Sequence, residues 1–252
     1  MIIGHEKIVD FFDNAIKSGN LAHAYCFIGC DQTGKRAVAK YLSAKILGVA
    51  EEKLDKYPDF CYLERGIDEK TDKLKKNISI AQARDLRARL ANHSWFGGYQ
   101  VAVVNEAELF NSESANALLK ILEEPGAKSV FFLLAENEQT VLPTIRSRCQ
   151  QFYFGLVAEE IISTGLTARG VEEETAKRLA GFAWGRPGRA IAMAEDQELE
   201  NQYIIELQRW QKMIGAPLHV KWKQLDDLFA EKEDTARRQL RLKKVLDIWI
   251  ML

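Results

Sequence analysis

The segment GCDQTGKR, from Gly29 to Arg36, is the strongest indication of the fold of this chain. It follows the apolar run AYCFI (24–28) and leads into KRAVAKYLSAKIL (35–47), whose apolar spacing is that of a helix. A buried strand, a loop bounded by glycines and a helix are therefore predicted in succession. In this context the motif G-x-x-x-x-G-K-[ST] cradles phosphate oxygens with backbone N–H groups and a helix N-terminus.

The match to this phosphate-binding motif is incomplete. Gly29, Gly34 and Lys35 agree with it, but Arg36 stands where the motif has a serine or threonine. The missing hydroxyl binds Mg²⁺, and a guanidinium has no acceptor that could replace it. The Arg36 side chain either points to solvent or takes the place of the metal's charge. A mere turn with two glycines is the alternative for the loop, and the flanking strand and helix favour phosphate binding.

The acidic pair expected after a later apolar strand is also altered. In such ATPases an Asp that holds the metal and a Glu that polarises the attacking water follow this strand. The segment VAVVNEAELF has Asn105 and Glu106 at these positions. Two metal-binding groups, a hydroxyl at position 36 and a carboxylate at position 105, are thus absent on separate segments. Their loss predicts that Mg²⁺-dependent hydrolysis is absent or feeble. Because Lys35 and the loop backbone remain, ATP binding without turnover stays open.

The rest of the chain predicts an α/β domain followed by helices. Continuous apolar strands that alternate with helices are typical of a parallel sheet covered on both faces. The predicted strands after the loop are 60–64, 101–104 and 130–134, and the predicted helices are 5–18, 79–93 and 112–124. We expect an α/β domain at 1–155, a small helical domain at 156–200 and a partial helical domain at 201–252, whose apolar ending VLDIWIML predicts truncation.

Composition excludes several classes of protein. With 35 basic and 36 acidic residues the net charge is −1, so only a local patch could bind nucleic acid. Arg84 and Arg87 share a face of the predicted helix and are candidates for DNA backbone contacts, with a solvated helix face as the alternative. The 4 cysteines form no C-x-x-C pair, which favours reduced thiols, a cytoplasmic location and no metal site. No apolar run is long enough to predict a membrane span.

Several segments together resemble the AAA+ subunits of bacterial clamp loaders. They are AHAYCFIGCDQTGKR, NEAELFNSESANALLKILEEP, LPTIRSRCQ and GRPGRA, and the delta-prime subunit of DNA polymerase III is the most similar branch. The resemblance implies an AAA+ P-loop domain with a parallel sheet, a helical lid domain and the start of a helical collar domain. It also implies a hetero-oligomeric ring with motor subunits and a delta subunit, which seats a sliding clamp on primer–template DNA.

Departures from the motor subunits of that family bear on the function. Those subunits end the loop in Lys-Thr and carry Asp-Glu at the second motif, whereas this chain has Arg36 and Asn105. The resemblance therefore implies the non-hydrolysing role, with an ATP-hydrolysing motor and a pure assembly scaffold as the rivals. Many relatives carry a four-cysteine zinc module before the segment written here YPDF, which this chain lacks, so zinc is not expected.

The resemblance also implies roles for arginines. Ser147–Cys149 reads SRC, which resembles a trans-acting arginine finger, so Arg148 would reach a neighbouring subunit's ATP site. A surface ion pair is the alternative, and Arg146 is the competing candidate, on the other side if the segment is extended. Arg189 is the nearest match to a nucleotide-sensing arginine, although relatives carry it where this chain has Gly188. An exposed helix residue is the alternative for Arg189.

Overall fold

The computed structural model describes residues 2–68, 73–91, 94–124 and 128–229, with 241–242, 245–246 and 248–250 near the end of the chain. The chain divides into two compact units, and the division falls between Val157 and Ala158. A further division near residue 200 stays a prediction.

The first unit alternates strands and helices. Its helices are α1 Glu6–Ser18, α2 Lys35–Leu47, α3 Glu51–Leu54, α4 Ile80–Ala91, α5 Ser112–Glu123 and α6 Pro143–Arg146. Its strands are β1 Ala24–Ile28, β2 Phe60–Leu63, β3 Ile67–Asp68, β4 Lys73–Leu74, β5 Gln100–Val104, β6 Ser129–Ala135 and β7 Gln150–Tyr153. A 3-10 turn at Ala107–Leu109 follows β5, and β3 and β4 form a separate antiparallel pair.

The main sheet has the order β2-β5-β6-β1-β7, and every pairing in it is parallel. All residues of β1, β5 and β6 are buried, because helices cover both faces of the sheet. On one face Cys26, Phe131 and Leu133 pack with α4 and α5. On the other face Tyr25 and Phe132 pack with residues of α1 and α2. The predicted α/β class with a parallel sheet is confirmed.

Sequence reasoning missed the edge strand β7. Its residues QQFY are polar in half of their positions and mostly exposed, so no apolar run marks them. Parallel pairing with β1, in the register Tyr25 to Gln150 through Ile28 to Tyr153, makes this segment a strand. The helix predicted at 79–93 is observed from Ile80 to Ala91, and residues 92 and 93 lie outside the described part.

All the secondary structure described in the second unit is helical, as predicted. Its helices are α7 Glu159–Thr167, α8 Glu173–Ala183, α9 Pro187–Glu195, α10 Gln197–Met213 and α11 Leu218–Phe229. Buried Ile162, Leu179 and Ala190 belong to its core. Within the described residues, no helix combines the length and the apolar character needed to cross a membrane.

Candidate functional site

The predicted phosphate loop lies at the carboxyl end of β1, and its lysine turns back into it. The Lys35 ammonium donates hydrogen bonds to the carbonyl oxygens of Gly29 and Cys30, the latter at 2.7 Å. Lys35 is only 8% exposed. Burial lowers the pKa of Lys35, and the nearby carboxylates of Asp31, Glu136 and Glu108 act in the opposite direction. A phosphate entering the loop would have to draw the ammonium away from these carbonyls.

Neighbouring segments pack tightly against this loop. Gly29 approaches Phe154 so closely that a Cβ there would collide with the Phe154 carbonyl oxygen. The Nε2 atom of His5 lies 2.7 Å from the carbonyl oxygen of Thr33, which makes Nε2 the donor. The His5 ring centroid lies 4.6 Å from that of Phe154. The loop is thus braced from outside by the N-terminal segment and by the residue that follows β7.

Arg36 packs against strand β2. Its guanidinium carbon lies 4.8 Å from the ring centroid of Tyr62, and Lys40, one turn later, has its ammonium 5.4 Å from the same centroid. Burial raises the pKa of Tyr62 to about 12, while the charge of Arg36 acts in the opposite direction. In the sheet β2 is three positions away from β1. Arg36 is therefore an exposed cation stacked on an aromatic ring instead of a group that turns into the loop.

The carboxylate after β5 is held by an arginine. Arg65 donates from Nε and Nη2 to the two oxygens of Glu106, at 2.8 and 2.6 Å. The side chains are 26% and 31% exposed, so the pair is partly shielded from water. The backbone N–H of Asn105 donates to the carbonyl oxygen of Leu63 at 2.8 Å, which places the ends of β2 and β5 side by side. A carboxylate engaged at both oxygens is poorly placed to polarise water.

Further carboxylates lie at the same edge of the sheet. Glu108 accepts a hydrogen bond from the backbone N–H of Glu136 at 3.4 Å, and burial raises the pKa of Glu108. In the described part of the chain, His, Cys, Asp and Glu side chains form no group of three that could hold a metal ion. Phosphate contact by Gly29, Gly34 and Lys35 stays a prediction, because the Lys35 ammonium is bonded to loop carbonyls. Asn105 and Arg36 supply no charged oxygen for a metal.

Arg148 comes just before β7, which begins beside the amino end of β1, whereas the phosphate loop follows the carboxyl end of β1. Arg148 and Arg146 each contact a carboxylate of the same chain. Arg148 donates from Nη2 to Glu123 at 2.5 Å and from Nη1 to the Thr144 carbonyl oxygen at 2.8 Å. Arg146 lies 3.6 Å from Glu138. The segment is a helical turn rather than an extended strand, so its side chains do not alternate between two sides. The two guanidinium groups nevertheless contact different partners.

The remaining candidate arginines lie on helices, Arg189 on α9 and Arg84 and Arg87 on α4. Arg189 lies in the second unit, is buried, and has its guanidinium 4.8 Å above the ring of Tyr203. The alternative of an exposed helix residue is therefore wrong for Arg189, and its sensor role stays a prediction. Arg84 and Arg87 are exposed on α4, whose opposite face buries Ala83 and Leu86. Their contact with DNA also stays a prediction.

Sequence reasoning missed the partners that hold the site residues. Arg65, Tyr62 and Glu123 are these partners, for Glu106, Arg36 and Arg148 respectively. A basic residue just after one strand and an acidic residue just after another is a signal available in the sequence. It predicts a pair only once the two strands are known to be neighbours.

The chain is similar in sequence to subunits of DNA polymerase III. The family model described as "DNA polymerase III, delta subunit" matches residues 4–157. The DNA polymerase III subunit delta' of Pseudomonas aeruginosa is 35% identical over 144 residues, which cover 52% of this chain and 42% of that protein. The subunit gamma of Buchnera aphidicola is 25% identical over 258 residues, covering 98% of this chain and 71% of that protein. The chain thus spans less than half of the first curated relative.

A solved structure supports the fold. A mutant form of the RuvB protein of Thermotoga maritima superposes with a TM-score of 0.53 at 16% identity, covering 98% of this chain and 78% of that one. With the parallel five-stranded sheet, the phosphate loop after β1 and the helical second unit, this likeness confirms the predicted AAA+ P-loop fold.

Proposed function

The chain belongs to the DNA polymerase III delta subunit family, and we propose that it is a clamp-loader subunit that does not hydrolyse ATP itself. It acts in the cytoplasm within a hetero-oligomeric ring, beside motor subunits and a delta subunit, and helps to seat a sliding clamp on primed DNA. Arg148 acts in trans as an arginine finger on a neighbour's ATP. The delta-prime role is thus preferred to that of gamma or tau.

The pairing of Arg65 with Glu106 is the observation that carries the non-hydrolysing role. A motor needs a carboxylate free to polarise water and oxygen ligands for Mg²⁺. Here Glu106 is engaged at both oxygens, and Arg36 and Asn105 replace the metal-binding residues. ATP could still bind at Gly29, Gly34 and Lys35 without turnover, once Lys35 releases its carbonyl partners. We expect this subunit to need no zinc and no catalytic cofactor.

The arginine-finger role is supported by chemistry and location. A guanidinium keeps its charge at any physiological pH, and its fork of N–H groups matches phosphate oxygens. Arg148 is partly exposed and lies in the turn between α6 and β7, and β7 begins beside the amino end of β1, whereas the phosphate loop follows its carboxyl end. An arginine finger supplied in trans contributes about 10³–10⁵ to the rate of phosphoryl transfer.

The test is ATP turnover in the reconstituted clamp loader, with only the motor site that faces this subunit left active. We expect Arg148→Ala to lower turnover at that site by about 10³-fold or more, because charge on the transferring phosphoryl group loses its stabilisation. Arg146→Ala is the matched control, since it removes a neighbouring arginine that also contacts a carboxylate. We expect the control to keep normal turnover.

Other outcomes would support the rival functions. The likeness to a gamma subunit over 98% of the chain favours the motor as the second candidate. A loss of turnover in Lys35→Ala, measured with every other motor site inactive, would support that motor. Unchanged turnover for Arg148→Ala in a normally assembled ring would support a scaffold without a catalytic contribution.

A further inference from the structure

The ion pair between Arg148 and Glu123 holds the guanidinium against its own chain. The Nη2 atom donates to a Glu123 oxygen at 2.5 Å, and Nη1 donates to the carbonyl oxygen of Thr144 at 2.8 Å. Glu123 is the last residue of α5, and Thr144 lies in α6. Two of the three guanidinium nitrogens are therefore occupied within the subunit.

The position of Glu123 on its helix explains why it attracts a cation. The carboxyl end of a helix carries partial negative charge, which repels a carboxylate there and favours a neighbouring cation. Arg148 compensates both the Glu123 charge and the end of α5. The side chains are 35% and 48% exposed, so the pair is a surface contact that can open readily.

We propose that Glu123 is a latch for Arg148, a positioning residue that must release the guanidinium before it can engage a phosphate on the neighbouring subunit. This inference rests on the proposed function of Arg148 as an arginine finger. A guanidinium paired with a carboxylate presents little net charge, and the carboxylate itself repels phosphoryl oxygens. The latch thus competes with the phosphate, and engagement of Arg148 requires the α5 contact to open.

Glu123→Gln tests the latch, because it keeps the size of the side chain and removes its charge. In the reconstituted loader with one active neighbouring site, we expect turnover at that site to rise about 1.4- to 5-fold. That range corresponds to the roughly 0.2–1 kcal/mol by which an exposed ion pair stabilises its closed form. Since salt screens exposed charges, the ratio of the variant's turnover to that of the unchanged protein should fall toward one at high ionic strength.

Glu124→Gln is the matched control. Glu124 is the adjacent exposed carboxylate, so this variant changes the net charge equally next to the same helix end. We expect it to leave turnover unchanged. In an Arg148→Ala background, Glu123→Gln should also have no effect, because the latch acts only through Arg148.

The outcomes separate the latch from the function on which it rests. Lower or equal turnover in Glu123→Gln, or an equal rise in Glu124→Gln, overturns the latch while a large loss in Arg148→Ala still supports the finger. Unchanged turnover in Arg148→Ala overturns the finger and the latch together. Thermal melting of Glu123→Gln checks that the variant folds, and Glu123→Asp, with a shorter carboxylate, should give an intermediate rise.

Discussion

Glu106 adopts a backbone conformation that side chains rarely take. Its φ of 56° and ψ of 53° lie in the left-handed region, which costs a non-glycine residue about 1–2 kcal/mol. Such a residue persists only where its surroundings hold it. Arg65 does so here, through bonds to both carboxylate oxygens. The turn after β5 is thus held by the same ion pair that satisfies the charge of its carboxylate inside the subunit.

His5 makes the stability of the first unit depend on pH. Burial lowers the pKa of His5 below its usual 6.5. The unfolded chain therefore binds this proton at a higher pH than the folded chain, and the free energy of unfolding falls as pH drops through 6.5 toward the folded pKa. We expect the unchanged protein to lose more stability than His5→Asn between about pH 7 and about pH 5. Asparagine suits the left-handed backbone at this position, with φ at 63°.

Denaturant unfolding of the two proteins across this pH range would measure the effect of His5. Each protein gives a slope of the free energy of unfolding against pH. Carboxylates titrate in both proteins, so their contribution cancels when the two slopes are compared. Parallel slopes would contradict the prediction, whatever the difference in absolute stability.

At the scale of single elements, the strand, loop and helix around GCDQTGKR were predictable to the residue. The observed β1 Ala24–Ile28 and α2 Lys35–Leu47 have the predicted bounds, because a continuous apolar run and bounding glycines are local signals. Strand β7 was not predictable, because its exposed residues QQFY become a strand only by pairing with β1.

Some residues of the candidate site could be predicted from a local motif, and others come together only in the folded chain. Gly29, Gly34 and Lys35 come from one motif, so their juxtaposition follows from the sequence. The pairs Arg65–Glu106 and Arg148–Glu123 join residues 41 and 25 positions apart. They depend on which strands and helices become neighbours, and apolar periodicity carries no such information.

The loop approaches the residue after β7 so closely that we expect Gly29 to tolerate no side chain. In Gly29→Ala the new methyl group would collide with the backbone carbonyl of Phe154, which cannot rotate away as a side chain could. We expect Gly29→Ala to lower the free energy of unfolding by about 2–4 kcal/mol, in the range of severe core strain. Gly155→Ala is the matched control, since a Cβ there meets open space.

Denaturant titration of the Gly29 and Gly155 variants gives the comparison. We expect Gly155→Ala to stay within about 1 kcal/mol of the unchanged protein, because it mainly restricts the unfolded chain. A Gly29→Ala protein as stable as the control would show that β7 can move away from the loop at little cost.

At the scale of the whole molecule, the match to the family model and the compact first unit end at the same residue. The family model matches residues 4–157, and the division between the units falls after Val157. A unit of about 150 residues buries about 68–70% of its surface on folding, which is enough for a core of its own. The phosphate loop, Arg65, Glu106 and Arg148 all lie within this unit.

A fragment of residues 1–157 should therefore fold alone, and we expect its last eight residues, 150–157, to contribute to its stability. Phe154 is 2% exposed, and its ring centroid lies 4.9 Å from that of Phe27 in β1. Phe154→Ala in this fragment should cost about 3–5 kcal/mol, as for a buried phenylalanine, and a fragment ending at Cys149, without β7, should not unfold cooperatively. Leu156→Ala is the control, since Leu156 is exposed and should cost little. Equal melting temperatures for all four proteins would mean that β7 and Phe154 add nothing to the core, and that the loop is braced by the N-terminal segment alone.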